Sequence, residues 1–262
     1  MKQKIFQIDA FAAEVFKGNP AAVCVLEKWI GEDKMQAIAR ENNLSETAFV
    51  VPMGDEYEIR WFTPEVEVDL CGHATLASAH VLFNEYNYKK KEIVFQSRKK
   101  GTLTVIKDKK LGLVLNFPVQ QIVPIRAQDN INRALGHHPL KTIKGETDFM
   151  LVYENQAQIA ALKPNFNELA KTKARGIIVT APGDTVDFVS RFFGPACGID
   201  EDPVTGSAHT ILAPFWAETL GKKKLTAQQL SKRGGSLYCE LKDDRVLIAG
   251  NAITYMEGEI TI

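Results

Sequence analysis

Short apolar runs bounded by turn residues dominate the chain. They predict strands over residues 5–10 and 21–26, around a turn containing Gly18-Asn19-Pro20. Met35, Ile38 and Ala39 stand at helical spacing and predict a helix over 33–43. Strand patterns follow at 47–52 and 57–62. Residues 72–84 are then small and apolar nearly all round, through Ala74, Leu76, Ala77, Ala79, Val81 and Leu82. A helix without a polar face belongs in the interior. Meandering strands are predicted at 93–96, 101–106 and 111–117.

After Asn116-Phe117-Pro118 the order begins again. Strands are expected at 148–153, 176–180 and 187–193, and a second small, apolar helix opens at Gly206-Ser207-Ala208. Strands return at 237–240, 246–249 and 251–256. Cys71-Gly72-His73-Ala74 can be laid over Thr205-Gly206-Ser207-Ala208 at an offset of 134 residues, about half the chain. Acidic residues precede both glycines: Glu65, Glu67 and Asp69 in one copy, Asp200, Glu201 and Asp202 in the other. The economical reading is a duplicated α/β (α+β) unit, each half wrapping strands around one central helix.

Composition narrows the function. The 262 residues are 45% hydrophobic and 24% charged, the values of a globular protein with a sizeable core. Lys+Arg and Asp+Glu both total 32, so the basic excess of a nucleic-acid or membrane-surface binder is missing. The lysine clusters at 89–91, 99–100 and 222–224 read as solvated turns and helix ends. No apolar run reaches the roughly 20 residues of a membrane span. The start, Met1 to Phe6, lacks the apolar core of a signal peptide. Cys24, Cys71, Cys197 and Cys239 form no paired spacing, as expected of reduced thiols in a cytoplasmic protein.

Several polar residues gather near the two helix starts. Glycine there lets backbone N–H groups approach a ligand, and the helix dipole favours an anion. Gly72 and Gly206 could hold a carboxylate between them, or could simply allow tight packing. His73 and Ser207 occupy equivalent places after these glycines. Alone, Ser207 reads as a helix-cap hydroxyl. Ser207 and His209 stand two apart and do not face each other, so they make no catalytic pair. His73 and His80 could share a face, but no carboxylate is spaced between them and no metal site is expected. His137-His138 reads as an exposed turn. Glu46, in Leu44-Ser45-Glu46-Thr47-Ala48-Phe49-Val50, is an isolated carboxylate entering an apolar strand. Burial there is costly and raises a carboxylate's pKa, which suits it to take and return a proton; a solvated strand edge is the plain alternative. No phosphate-binding glycine motif is present and nothing calls for a cofactor.

Phe16-Lys17-Gly18-Asn19-Pro20-Ala21-Ala22-Val23, Leu44-Ser45-Glu46-Thr47-Ala48-Phe49 and Leu70-Cys71-Gly72-His73-Ala74-Thr75 resemble the PhzF-like proteins of phenazine biosynthesis. So do Arg191-Phe192-Phe193, the run from Gly198 to His209, and Gln229-Leu230-Ser231-Lys232-Arg233-Gly234-Gly235, in the family's order. The resemblance implies a diaminopimelate-epimerase-like fold of two similar halves, with the active site in the cleft between them. The halves would be residues 1–116 and 117–250, with 251–262 returning to the first. It also implies a cofactor-independent isomerase in which Glu46 moves a proton between carbons of a small carboxylated substrate. His73 and Asp202 would join in catalysis, and Gly72, Gly206 and Ser207 would bind substrate. A homodimer is implied by resemblance alone. Two other readings are an amino-acid epimerase with a thiol on each face, and a metabolite-binding protein without turnover. For the epimerase, Cys71 stands where one thiol belongs, and its counterpart in the second half is read as Pro203, so the pair is broken.

Overall fold

A helix apolar on every side needs walls on every side, and strands supply them. The structure, a computed structural model, describes residues 2–262. The expectation for the start of the chain includes Met1, which lies outside the described residues. The chain divides into two units. One comprises the described residues up to Phe117 together with Ile248–Ile262, and the other is Pro118–Leu247.

The first unit runs β1 (Lys2–Ala10), β2 (Asn19–Val25), α1 (Glu32–Asn42), β3 (Glu46–Met53), β4 (Glu56–Phe62), β5 (Glu67–Val68), α2 (Gly72–Asn84), β6 (Glu92–Ser97), β7 (Gly101–Asp108) and β8 (Gly112–Pro118). β1 is antiparallel to β2, β2 parallel to β3, and β3 antiparallel to β4. β4 then pairs antiparallel with β5 and parallel with β6, and β6 antiparallel with β7. Every residue of α2 from Gly72 to Phe83 is buried except His80, as its all-round apolar sequence requires. The turn into β2 needs glycine. Gly18 has a φ of +64°, and a Cβ there would stand 2.1 Å from the Ala10 carbonyl oxygen.

The second unit runs β9 (Val123–Ile125), α3 (Asp129–Leu135), β10 (Lys141–Lys144), β11 (Asp148–Val152), α4 (Gln156–Ala161), α5 (Phe166–Leu169), β12 (Gly176–Pro182), β13 (Phe188–Gly194), β14 (Ile199–Asp202), α6 (His209–Leu220), β15 (Lys224–Gln229), β16 (Gly235–Lys242) and the start of β17 (Arg245–Gly250), whose residues from Ile248 on belong to the first unit. The chain ends in β18 (Ala252–Thr261), antiparallel to β1 in the first unit. The pairing order of the first unit recurs. β10 is antiparallel to β11, β11 parallel to β12, and β12 antiparallel to β13. β13 pairs antiparallel with β14 and parallel with β15, and β15 antiparallel with β16.

A charged pair recurs as well. Arg60 on β4 binds both oxygens of Glu67 on β5 at 2.7 and 2.6 Å, and Arg191 on β13 binds both oxygens of Glu201 on β14 at 2.7 and 3.0 Å. Both acids belong to the clusters that precede the glycines, and both hold a short strand in place before the helix.

The second helix departs from expectation at its start. Gly206–Ala208 forms a tight 3-10 turn, and α-helix begins only at His209. Pro214 lies inside α6 and has no N–H for the Thr210 carbonyl four residues back. The Gln120 backbone N–H donates to that carbonyl instead, at 3.2 Å. Among the described residues no helix is long and apolar enough to cross a membrane.

Candidate active site

In the first unit, helix α1 stops at Asn43, whose left-handed φ of 50° turns the chain back towards the sheet. Asn42 donates to Thr47 Oγ1 at 3.0 Å and ties the helix end to the new strand. β3 therefore opens on Glu46, which lies opposite Ala21 of the parallel β2. Helix α2 begins in the same unit with Cys71 as its N-cap. His73, in its first turn, is 4% exposed, and its Nε2 lies 3.1 Å from Glu46 Oε2, on a side chain 13% exposed. The contact is close without being aligned as a hydrogen bond. At the other ring nitrogen, Nδ1, the Asn19 side-chain amide approaches to 3.1 Å and the Cys71 sulfur to 3.5 Å. With the amide nitrogen donating to Nδ1, a neutral ring carries its proton on Nε2, facing Glu46.

Electrostatics favour the charged ring, in which Nδ1–H also donates and the Asn19 amide must present its oxygen, not its nitrogen. Burial opposes protonation of His73, but Cys71 and Glu46 outweigh it and hold the imidazole well above its ordinary pKa. Cys71 cannot supply that charge near neutrality. Burial, aided by Glu46, pushes its thiol up to about 11, so the sulfur is neutral there. Glu46 is the other acidic group against the ring, at Nε2. Glu46, Cys71 and His73 also form a cluster of three possible metal ligands within 4.8 Å of one another. Cys71 approaches Nδ1 and Glu46 approaches Nε2, so one ion could not take both through a single ring nitrogen without the ring turning.

In the second unit, Asp202, Gly206 and Ser207 come together at the turn before α6. Thr205 Oγ1 donates to Asp202 Oδ2. Gln229, fully buried at the end of β15, accepts from the Thr205 N–H at 2.9 Å and donates to the Asp202 carbonyl at 2.7 Å. Ser207 Oγ accepts from Arg175 Nη1 at 3.1 Å, and Arg175 is itself gripped by Asp148. His209 meets this cluster only at the Thr205 backbone. Its Nδ1 lies 3.0 Å from the Thr205 carbonyl, and burial lowers its pKa to about 4, so it is a neutral interior histidine. His80 is likewise lowered to about 4, by burial first and then by Lys107, and hydrogen-bonds with Thr254.

Glu46, Gly72 and His73 thus meet in one unit, and Asp202, Gly206 and Ser207 in the other. One correction concerns the thiol alternative. Cys71 directly precedes Gly72 as the residue before α2, and the residue directly preceding Gly206 is Thr205, not Pro203. Thr205 carries no thiol either. Asn19, Arg175, Asp148 and Gln229 were not singled out for chemistry, although the strings that carry the resemblance contain Asn19 and Gln229.

Each unit thus brings its own polar residues to the start of its central helix, and comparison with known proteins identifies the fold. A phenazine biosynthesis protein of the PhzF family from Enterococcus faecalis superposes with a TM-score of 0.96 and 48% identity, covering 100% of both chains. A hydroxyproline epimerase from Agrobacterium vitis shares the fold alone, with a TM-score of 0.67 and 9% identity over 99% of this chain and 92% of the other. An uncharacterised isomerase of Pseudomonas aeruginosa is 50% identical over 263 residues, covering 100% of each, and the human phenazine biosynthesis-like domain-containing protein is 40% identical over 289 residues, again covering 100% of each. The profile of the phenazine biosynthesis-like proteins, PhzC-PhzF, matches residues 8–258. The chain belongs to this family, and it is an enzyme of the isomerase class.

Proposed function

We propose that this isomerase moves a proton between two carbons of a small carboxylated substrate without a cofactor, with Glu46 as base and then as acid. The observation that carries the reading is the buried contact between Glu46 and a histidine held above its ordinary pKa. Glu46 is the carboxylate placed beside that ring, where it can accept a proton. Glu46 takes the proton as one C–H bond breaks, and His73 remains charged to steady the negative charge that develops on the substrate. Return of the proton to a second carbon restores the carboxylate, with no net oxidation.

In this reading Ser207 and the backbone N–H groups of the turn at Gly206 hold the substrate carboxylate. Asp202 holds an amine or hydroxyl.

The test is proton NMR in D₂O with a panel of carboxylated metabolites, comparing wild type with Glu46→Gln. Exchange or isomerisation that falls about 10²–10⁴-fold in the variant supports the assignment. Turnover retained by Glu46→Gln removes Glu46 as the base. Exchange lost instead in Cys71→Ser would move the chemistry to the thiol.

A further inference from the structure

Asp148 opens β11 and is buried, with its side chain 0% exposed, while Arg175 immediately precedes β12. β11 and β12 are parallel, with Asp148 opposite Gly176, so acid and base stand at the same end of neighbouring strands. Arg175 Nε donates to Asp148 Oδ1 at 2.8 Å and Nη2 donates to Oδ2. The guanidinium carbon Cζ lies over the Phe192 ring, 5.4 Å from its centroid. Two bonds and a ring face fix the group's orientation.

This grip leaves donors over. Of five guanidinium N–H groups, two go to Asp148 and one, from Nη1, to Ser207 Oγ. One N–H remains on each terminal nitrogen, and the Arg175 side chain is 34% exposed. The bond from Arg175 also sets the polarity of Ser207: its oxygen already accepts, so its own proton is directed to another acceptor. Three donors are thereby presented beside the turn at Gly206. Asp148 balances the arginine's charge, and Asp202 and Cys197 also face it. The site therefore discriminates by matched donors more than by excess positive charge.

We propose that Arg175 is a substrate-binding residue that, with Ser207, grips both oxygens of the substrate carboxylate. The inference rests on the proposed function for the presence of that carboxylate, and it assigns the arginine a role of its own. Asp148 is then a positioning residue that acts through Arg175.

Binding of benzoate, with benzamide as the near-isosteric control, tests this without turnover. Benzamide offers one acceptor oxygen, and its NH₂ would meet the site's N–H groups. Followed by NMR titration, wild type should bind benzoate about 10–100-fold more tightly than benzamide. Because Arg175→Gln alone strands Asp148, the variant is Arg175→Gln with Asp148→Asn, its fold checked by amide spectra. It should lose the preference, whereas Glu46→Gln should keep it. Arg175→Lys, which retains charge but not the planar fork, should recover it only in part. Equal binding of the two probes by wild type, no saturable benzoate binding, or an unchanged preference in the double variant overturns the proposal. Glu46→Gln turning over at the wild-type rate while the Arg175-dependent preference persists would overturn the proposed base and leave this inference standing.

Discussion

Replacing Glu46 by Gln should carry His73 from above its ordinary pKa of about 6.5 to below it. In the native pair the charges lie 3.1 Å apart. At an effective dielectric constant of about 20 their attraction is about 5 kcal/mol, against about 1 kcal/mol in bulk water. Burial opposes protonation of the ring and persists when the carboxylate is removed, because Gln is almost the same size. Cys71 remains but is neutral below its pKa of about 11. The sign of the shift is therefore set by which side of the ring loses charge. His73 is assigned by its disappearance in His73→Gln, and long-range ¹H–¹⁵N correlations across pH 5–9 report its protonation. Wild type should be doubly protonated at pH 7, and Glu46→Gln should be neutral there with its remaining proton on Nε2. Cys71→Ala should resemble wild type. The linkage has one sign: with the folded pKa raised, the pair's contribution to stability is complete below the unfolded value and is lost as pH rises through the folded value. A wild-type His73 neutral at pH 7, or a Glu46→Gln ring still charged there, would refute this account of the site.

Three further outcomes follow from the geometry. Arg175→Met should destabilise the second unit by about 3–5 kcal/mol in denaturant titration, because it leaves the buried Asp148 carboxylate without its partner; Asp148→Asn should cost less, since Arg175 can still reach water, and the reverse order would contradict the burial described. Gly176→Ala would put a Cβ 2.1 Å from the Phe192 ring tip, so it should cost about 1–3 kcal/mol and be largely rescued by Phe192→Leu. Thiol titration of the native protein should find the exposed Cys197 reactive, while Cys24, Cys71 and Cys239, all buried and pushed up in pKa, react only after unfolding; rapid native labelling of Cys71 would reopen a thiol role.

Legibility of the fold followed the apolar pattern. Helix α2 could be read because no Asp, Glu, Lys or Arg interrupts it and its polar residues before His80, namely His73, Thr75 and Ser78, are few and set among small apolar ones. Strand β15 was missed because its inward face, Leu225, Ala227 and Gln229, ends on an amide, and its outward face begins in a lysine cluster that reads as a turn. β5 and β14 were missed for a related reason. Their residues are mostly acids, and those acids serve a buried arginine, so composition suggested solvent where the sheet continues. The start of the second helix was misplaced because Gly206-Ser207-Ala208 is as apolar and small as a helix start, and a 3-10 turn has no separate signature at three residues.

The sites divide along the same line. Glu46 and His73 could be noticed because each is a titratable residue in an otherwise apolar run. Arg175 could not be noticed that way, since a lone arginine beside Lys171 and Lys173 reads as surface. A signal did exist in the pairing of strands. Asp148 heads the apolar run Phe149-Met150-Leu151-Val152, and Arg175 directly precedes Gly176-Ile177-Ile178-Val179. If the two runs lie antiparallel, their charged ends are a strand length apart; if parallel, they meet. A parallel connection needs a dozen or more residues, and the stretch from Tyr153 to Arg175 is long enough to hold α4 and α5. Opposite charges at matching ends of two apolar strands, joined by a helix-length connection, are therefore a readable sign of a buried ion pair. In this chain that sign leads from two unremarked residues to Ser207, and so from the packing of the second unit to its chemistry.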